Sequence, residues 1–190
     1  MRAPIGDFPS ATPAAEAAEA AAFAGPAADA VREWEGTVPG GQLLYVDTDP
    51  EKADTAVFIE NYGADLYETS ANCVVVAAKR GGERTLAACV VLSRTRVDVN
   101  GVVRRQLGAR KASFAPAETA VTETGMEYGG ITPFGLPGGW PVLIDRSVAE
   151  LPWTLIGSGR RRGKLIVPGR ALTELPGAVV LEKLGVPVSG

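Results

Sequence analysis

The stretch CVVVAAKRGGERTLAACVVL, residues 73–92, decides the fold. Two valine-rich runs flank Arg80, Gly81, Gly82 and Glu83, and adjacent glycines supply the positive φ angles that a tight hairpin turn demands. With Gly81 opposite Gly82, Cys73 faces Val90 and Cys89 faces Val74. Successive side chains on a strand point to opposite faces, so in this register the two sulfurs lie on different sides of the sheet and no disulfide is expected. Both thiols read as buried, inert groups of a reducing compartment.

Working outward from the hairpin, apolar runs of strand length alternate with helical patterns. Residues 42–46 read as a strand, and residues 54–62, stopped by Gly63, as a helix. Downstream, residues 97–107 carry Val99, Val102, Val103 and Leu107 at helical spacing and end at Gly108. Residues 111–114 read as a strand and 116–124 as a helix with proline in its first turn. Further strands are expected at 142–144, 153–156, 164–167 and 178–181, with a helix at 171–175. The hairpin makes the sheet mixed instead of purely parallel, so the expected fold class is α/β (α+β mixed), a curved mixed β-sheet with surrounding helices.

Residues 1–40 are rich in Ala and Pro, with helical patterns at 14–23 and 27–34; they read as a partly helical N-terminal extension, and residues 41–190 as the domain proper. The N-terminal stretch reads as neither a signal peptide nor a membrane span, because Pro13, Glu16, Glu19 and Pro26 interrupt it. With 46% apolar residues, 190 residues suffice for one substantial core. A formal net charge of −3 confines any nucleic-acid contact to a local basic patch.

The chain has no histidine, which removes Ser-His-Asp and Cys-His nucleophile systems and every His-containing metal site. Two cysteines are too few for an all-Cys zinc site. Residues 125–140 form a loop too rich in glycine and proline to be regular, and Gly129 and Gly130, close before Pro133, let backbone amides approach a carbonyl or its developing oxyanion. A purely connecting loop satisfies the same pattern. A second turn, Gly157, Ser158 and Gly159, leads into Arg160, Arg161, Arg162 and Lys164, a cluster suited to phosphates or to a solvated surface. Tyr128, Phe134 and Trp140 flank the glycine loop as packing or stacking residues, and Asp145 reads equally as a helix cap and as a pocket residue.

The order of these pieces, residues 125–136, then Val142-Leu-Ile-Asp145, then Ile156-Gly157-Ser158-Gly159, resembles the YbaK/prolyl-tRNA editing family over residues 54–184. The resemblance implies a freestanding cytoplasmic aminoacyl-tRNA deacylase that hydrolyses the ester of mischarged tRNA, in transient contact with the translation machinery and without cofactor, metal or membrane. It assigns Gly129, Gly130, Ile131, Thr132 and Pro133 to the loop over the ester and terminal ribose, with Phe134 and Asp145 beside it. Gly157, Ser158 and Gly159 form the opposite wall, and Arg160, Arg161, Arg162 and Lys164 meet tRNA phosphate. Gly130, Ile131, Thr132 and Gly159 supply backbone or short-side-chain contacts to the ester, Asn72 orients the substrate, and water or a substrate hydroxyl attacks. The family's lysine at the start of the strand falls here on Asn72, an amide that donates hydrogen bonds but carries no charge. Three readings follow: Asn72 serves as a neutral donor, another cation such as Lys164 substitutes, or catalysis is lost and a module binding aminoacyl-tRNA, nucleotide or protein remains.

Overall fold

The computed structural model describes residues 1–23 and 25–188. In chain order the elements are β1 (Thr12–Pro13), α1 (Ala14–Glu19), α2 (Gly25–Arg32), β2 (Leu44–Val46), α3 (Thr55–Tyr62), α4 (Leu66–Thr69), β3 (Ala71–Arg80), β4 (Glu83–Leu92) and β5 (Thr95–Val97). There follow α5 (Arg104–Gln106), β6 (Lys111–Phe114), α6 (Ala117–Thr124), β7 (Val142–Asp145), α7 (Arg146–Ala149), β8 (Thr154–Gly157), β9 (Lys164–Val167), α8 (Gly169–Leu172), β10 (Ala178–Leu181) and β11 (Gly185–Pro187).

The hairpin has the register set by its glycine pair: Cys73 lies opposite Val90, Val74 opposite Cys89 and Arg80 opposite Glu83. Both cysteines are free; Cys73 packs on one apolar cluster and Cys89 belongs to another, on the opposite face. The hairpin forms the middle of a five-stranded sheet ordered β10-β7-β4-β3-β6. β7 runs parallel to both β4 and β10, whereas β3 is antiparallel to β4 and β6. The mixed α/β class is thus observed. The single curved sheet expected from the sequence divides, however, because the short strands β2, β8 and β9 pair with one another and with β1 in a separate antiparallel sheet, β1-β2-β9-β8. A parallel bridge between Ser70 and Leu155 joins this second sheet to the entrance of β3. β5 and β11 make a small third sheet.

Two expectations are corrected. Residues 1–40 are partly helical but not an appendage: Ala14, Ala17, Ala18, Phe23, Ala27, Ala28 and Val31 are buried in the same cluster as Val90, Ile144 and Leu165, and β1 pairs with β2. Alanine's small side chain lets α1 and α2 approach closely, and a low-complexity composition therefore builds core. Between residues 97 and 107 the chain is not one amphipathic helix. β5 takes up the first part, and Asp98 then accepts hydrogen bonds from the amides of Gly101 and Val102, both at 3.0 Å, capping a wide π-turn that runs into α5. No helix among the described residues is long and apolar enough to cross a membrane.

Candidate functional site

The two sheets meet at Ser70–Leu155, and beside that junction opens a cleft of about 500 Å³. Its walls include Ser70, Asn72 and Cys73 from the start of the hairpin, Phe58 from α3, Phe114 from β6, Gly129 and Ile131 from the glycine loop, and Gly157, Arg161 and Lys164 from the β8–β9 hairpin. Among the residues named from the sequence, Asn72, Tyr128, Gly129, Ile131, Gly157, Arg161 and Lys164 are thereby brought to one cavity.

The glycines act through contact between the two loops. The Gly159 amide donates to the Gly130 carbonyl at 2.7 Å, the Glu127 amide donates to the Gly159 carbonyl at 2.9 Å, and the Arg161 amide donates to the Glu127 carboxylate at 2.8 Å. A Cβ on Gly130 would overlap the Arg160 backbone, and one on Gly157 would overlap the Gly130 and Ile131 carbonyls. The close approach excludes any larger residue at either place. This corrects the roles expected for Gly130 and Gly159. The Gly130 amide donates within its own loop to the Glu127 carbonyl at 3.0 Å and the Gly159 amide crosses to the Gly130 carbonyl, so neither named donor stands free for a ligand. No hydrogen bond among the described residues uses the Ile131 amide.

Other named residues lie away from the cleft. Phe134 is fully buried against Trp34, with ring centroids 5.7 Å apart, and Pro133 lines a different cavity with Trp140. Thr132 is fully buried; its amide points at the Met126 Sδ, 3.5 Å away. Asp145 caps α7 by accepting from the Ser147 amide at 2.9 Å, and its second oxygen accepts from the Gly185 amide at 2.7 Å, tying β11 down. Ser158 is buried, with its Oγ at 3.1 Å from the Gly163 carbonyl, and holds the arginine turn in shape.

The basic cluster also divides. Arg162 makes a bidentate pair with Asp47, both bonds 2.7 Å, which holds the Asp47 carboxyl below its ordinary range. Arg160 is exposed, and Arg161 donates to the Pro50 carbonyl at the cleft rim. Lys164, grouped with these arginines in the sequence, is only 7% exposed and faces the cleft; its Nζ lies 5.8 Å from the centre of the Phe58 ring. Burial, aided by Arg161, lowers its ammonium pKa to about 8. Burial pushes the Cys73 thiol up to about 12, so it presents no thiolate near neutral pH.

Sequence reasoning missed Phe114. It is 54% exposed at the end of β6 and, with Tyr128 at 65%, places two exposed aromatic rings on the cleft lining. Phe114 is the last residue of β6, two positions after the buried Ala112, and nothing in the strand pattern singles it out as an exposed ring.

Comparison with known proteins fits this geometry. Residues 49–175 match the model of the aminoacyl-tRNA editing domain. Among solved structures, a candidate trans-editing enzyme for prolyl tRNA synthetase superposes with a TM-score of 0.66 at 21% identity, covering 83% of this chain and 96% of that one. A scaffold protein used for epitope backbone grafting gives 0.67 at 19% identity, covering 84% and 95%. Hypothetical protein APE2540 gives 0.62 at 23% identity, covering 76% and 90%. At these identities the likeness is one of fold. No curated protein matches the sequence. The matched segment spans more than half of the chain and contains every wall of the cleft, and the chain belongs to the aminoacyl-tRNA editing domain family.

Proposed function

We propose that the chain is an aminoacyl-tRNA deacylase of the prolyl-tRNA editing type, hydrolysing the ester that joins a wrong amino acid to the terminal adenosine of tRNA. The observation that carries this reading is the cleft that brings Gly129 and Ile131 of the glycine loop, Gly157 of the second turn and Asn72 to one cavity. Water adds to the ester carbonyl, the bond from carbonyl carbon to ribose oxygen breaks, and the proton passes to the departing ribose hydroxyl. The products are free amino acid and uncharged tRNA.

The residues fit a mechanism that uses no nucleophilic side chain. Histidine is absent and the Cys73 thiol stays protonated. The Gly129 and Ile131 amides are the glycine-loop donors left for the ester carbonyl, and one such donor aimed at an oxyanion is worth roughly 3 to 4 kcal/mol. Asn72, exposed at the start of β3, orients the substrate as a neutral donor. Tyr128 and Phe114 offer stacking surfaces to the terminal adenine, and base stacking on an aromatic ring contributes roughly 1–3 kcal/mol. In this reading Arg160 and Arg161 meet backbone phosphates, whereas Arg162 is already engaged with Asp47.

The test is deacylation of tRNA(Pro) charged separately with alanine, cysteine, serine or threonine, by the wild-type protein and Asn72→Ala. Hydrolysis of one of these that falls at least about tenfold in Asn72→Ala, the scale of one lost hydrogen bond to substrate, supports the reading. A folded wild-type protein that turns over none of them contradicts it and favours a binding module.

A further inference from the structure

We propose that Lys164 supplies, from the neighbouring sheet, the positive charge for which the strand-start position of Asn72 has no group. The inference rests on the deacylase reading and names the group that holds the substrate's ester end.

Lys164 is the first residue of β9 and lies opposite Gly157 of β8. Strand alternation puts it on the same face as Ile166, which packs in the cluster with Phe58 and Leu155, whereas Leu165 and Val167 turn to the other core. Its stem is therefore sheltered by the Phe58 side of the second sheet while its end faces the cleft shared with Asn72. The glycine opposite matters here, because Gly157 brings the Ile131 backbone to the same end of the cavity.

The charge has no internal partner. No hydrogen bond or ion pair among the described residues reaches the Lys164 Nζ, although Arg162, two residues earlier, is paired with Asp47. The other charged side chains of the cleft lining are Asp54, which makes no ion pair with it, and Arg161, of the same sign. An ammonium sheltered from water beside a second cation is costly unless something negative or strongly electron-rich comes to it. The phenyl face of Phe58 offsets part of that cost. The fitting ligand atom is the ester carbonyl oxygen of the aminoacyl-adenosine end, whose charge grows as water adds. A lysine at the Asn72 position and one at Lys164 would approach that oxygen from two strands of the same cleft.

The experiment compares wild type, Lys164→Gln, Lys164→Arg and the double variant Asn72→Lys/Lys164→Gln. Two readouts are used: deacylation of the mischarged tRNA(Pro) set, and binding of an amide-linked, non-hydrolysable aminoacyl-adenosine. The expected result is a fall of about 100-fold in kcat/KM for Lys164→Gln, the effect of losing one charged donor to the developing oxyanion, with at least about tenfold recovered in the double variant or retained in Lys164→Arg. Circular dichroism and melting curves establish that each variant is folded. Lys164→Gln within threefold of a working wild type overturns the inference and leaves the deacylase reading standing. A loss that neither Asn72→Lys nor Lys164→Arg offsets overturns charge as the property at work. If the wild type hydrolyses nothing, the deacylase reading fails on its own and binding decides: weaker analogue binding by Lys164→Gln supports the role of Lys164, and equal binding or none to the wild type overturns it.

Discussion

Two of the cavities among the described residues draw their walls from successive parts of one loop, and the smaller of these two is the candidate site. Tyr128, Gly129 and Ile131 line the cleft of about 500 Å³, and Pro133, Leu136 and Trp140 line a cavity of about 950 Å³. The larger cavity includes Trp34, Glu33, Glu35 and Glu174 and has no lysine or arginine among its lining residues. The Trp34 indole donates to the Val38 carbonyl at 2.7 Å and the Thr37 hydroxyl to Glu174 at 2.9 Å, while Glu33 and Glu35 are exposed to water. The smaller cleft holds an ammonium without a partner and the buried hydroxyls of Ser70 and Ser93, which make no hydrogen bond among the described residues. Unmet polar demand, more than volume, marks the place where a polar substrate is expected.

The largest expected effect that would break this contrast comes from the glycine contact. Gly157→Val pushes a side chain into the Gly130 and Ile131 carbonyls, and overpacking of this kind typically costs about 1–3 kcal/mol of stability while displacing the loop over the cleft. Deacylation should fall by two orders of magnitude or more, since misplacement of a substrate-holding group by about 1 Å costs on the order of 100-fold. Near-normal turnover by Gly157→Val would show that the loop contact does not build the site.

A second effect separates function from stability at Lys164. Burial lowers its pKa from 10.5 to about 8, so the folded state favours the neutral amine more than the unfolded chain does. Below pH 8 the ammonium is charged in both states and the folded protein bears the full penalty. As pH rises from 8 towards 10.5 the folded form loses its proton first and the penalty disappears. Lys164→Met should therefore stabilise the protein by up to about 3 kcal/mol at pH 7, with the gain vanishing near pH 10.5, as followed by urea unfolding at several pH values. A destabilised Lys164→Met would mean that the amine is satisfied in the resting fold. The smallest effect is expected in the other cavity: Trp140→Ala should leave kcat/KM for deacylation within about threefold, because that ring touches none of the cleft.

The hairpin was legible because a glycine pair between two valine runs fixes turn and register together, and the opposite placement of Cys73 and Cys89 followed from alternation alone. The two N-terminal helices were legible, but not their place in the core, because alanine side chains leave little sign of burial in composition although they pack as tightly as larger ones. The glycine loop and the Gly157 turn were found, but not that they serve each other. Which amides remain free depends on a contact between residues some thirty positions apart in the chain. Lys164 was hidden by its neighbours. Beside three arginines it resembles one more surface cation, yet as the first residue of a strand, two positions before Ile166, it shares that residue's inward face. Phe134 and Thr132 lie in the glycine loop but turn inward and are fully buried, a matter of packing that spacing alone does not encode.

The most direct test of the account is a map of where the aminoacyl-adenosine end binds, by backbone amide chemical-shift changes on titrating the amide-linked analogue into the labelled wild-type protein. The account predicts shifts concentrated at Asn72, Gly129, Ile131, Gly157 and Lys164, the residues gathered around the smaller cleft. Shifts centred on Trp34, Leu136 and Trp140, with the cleft residues unmoved, would contradict it.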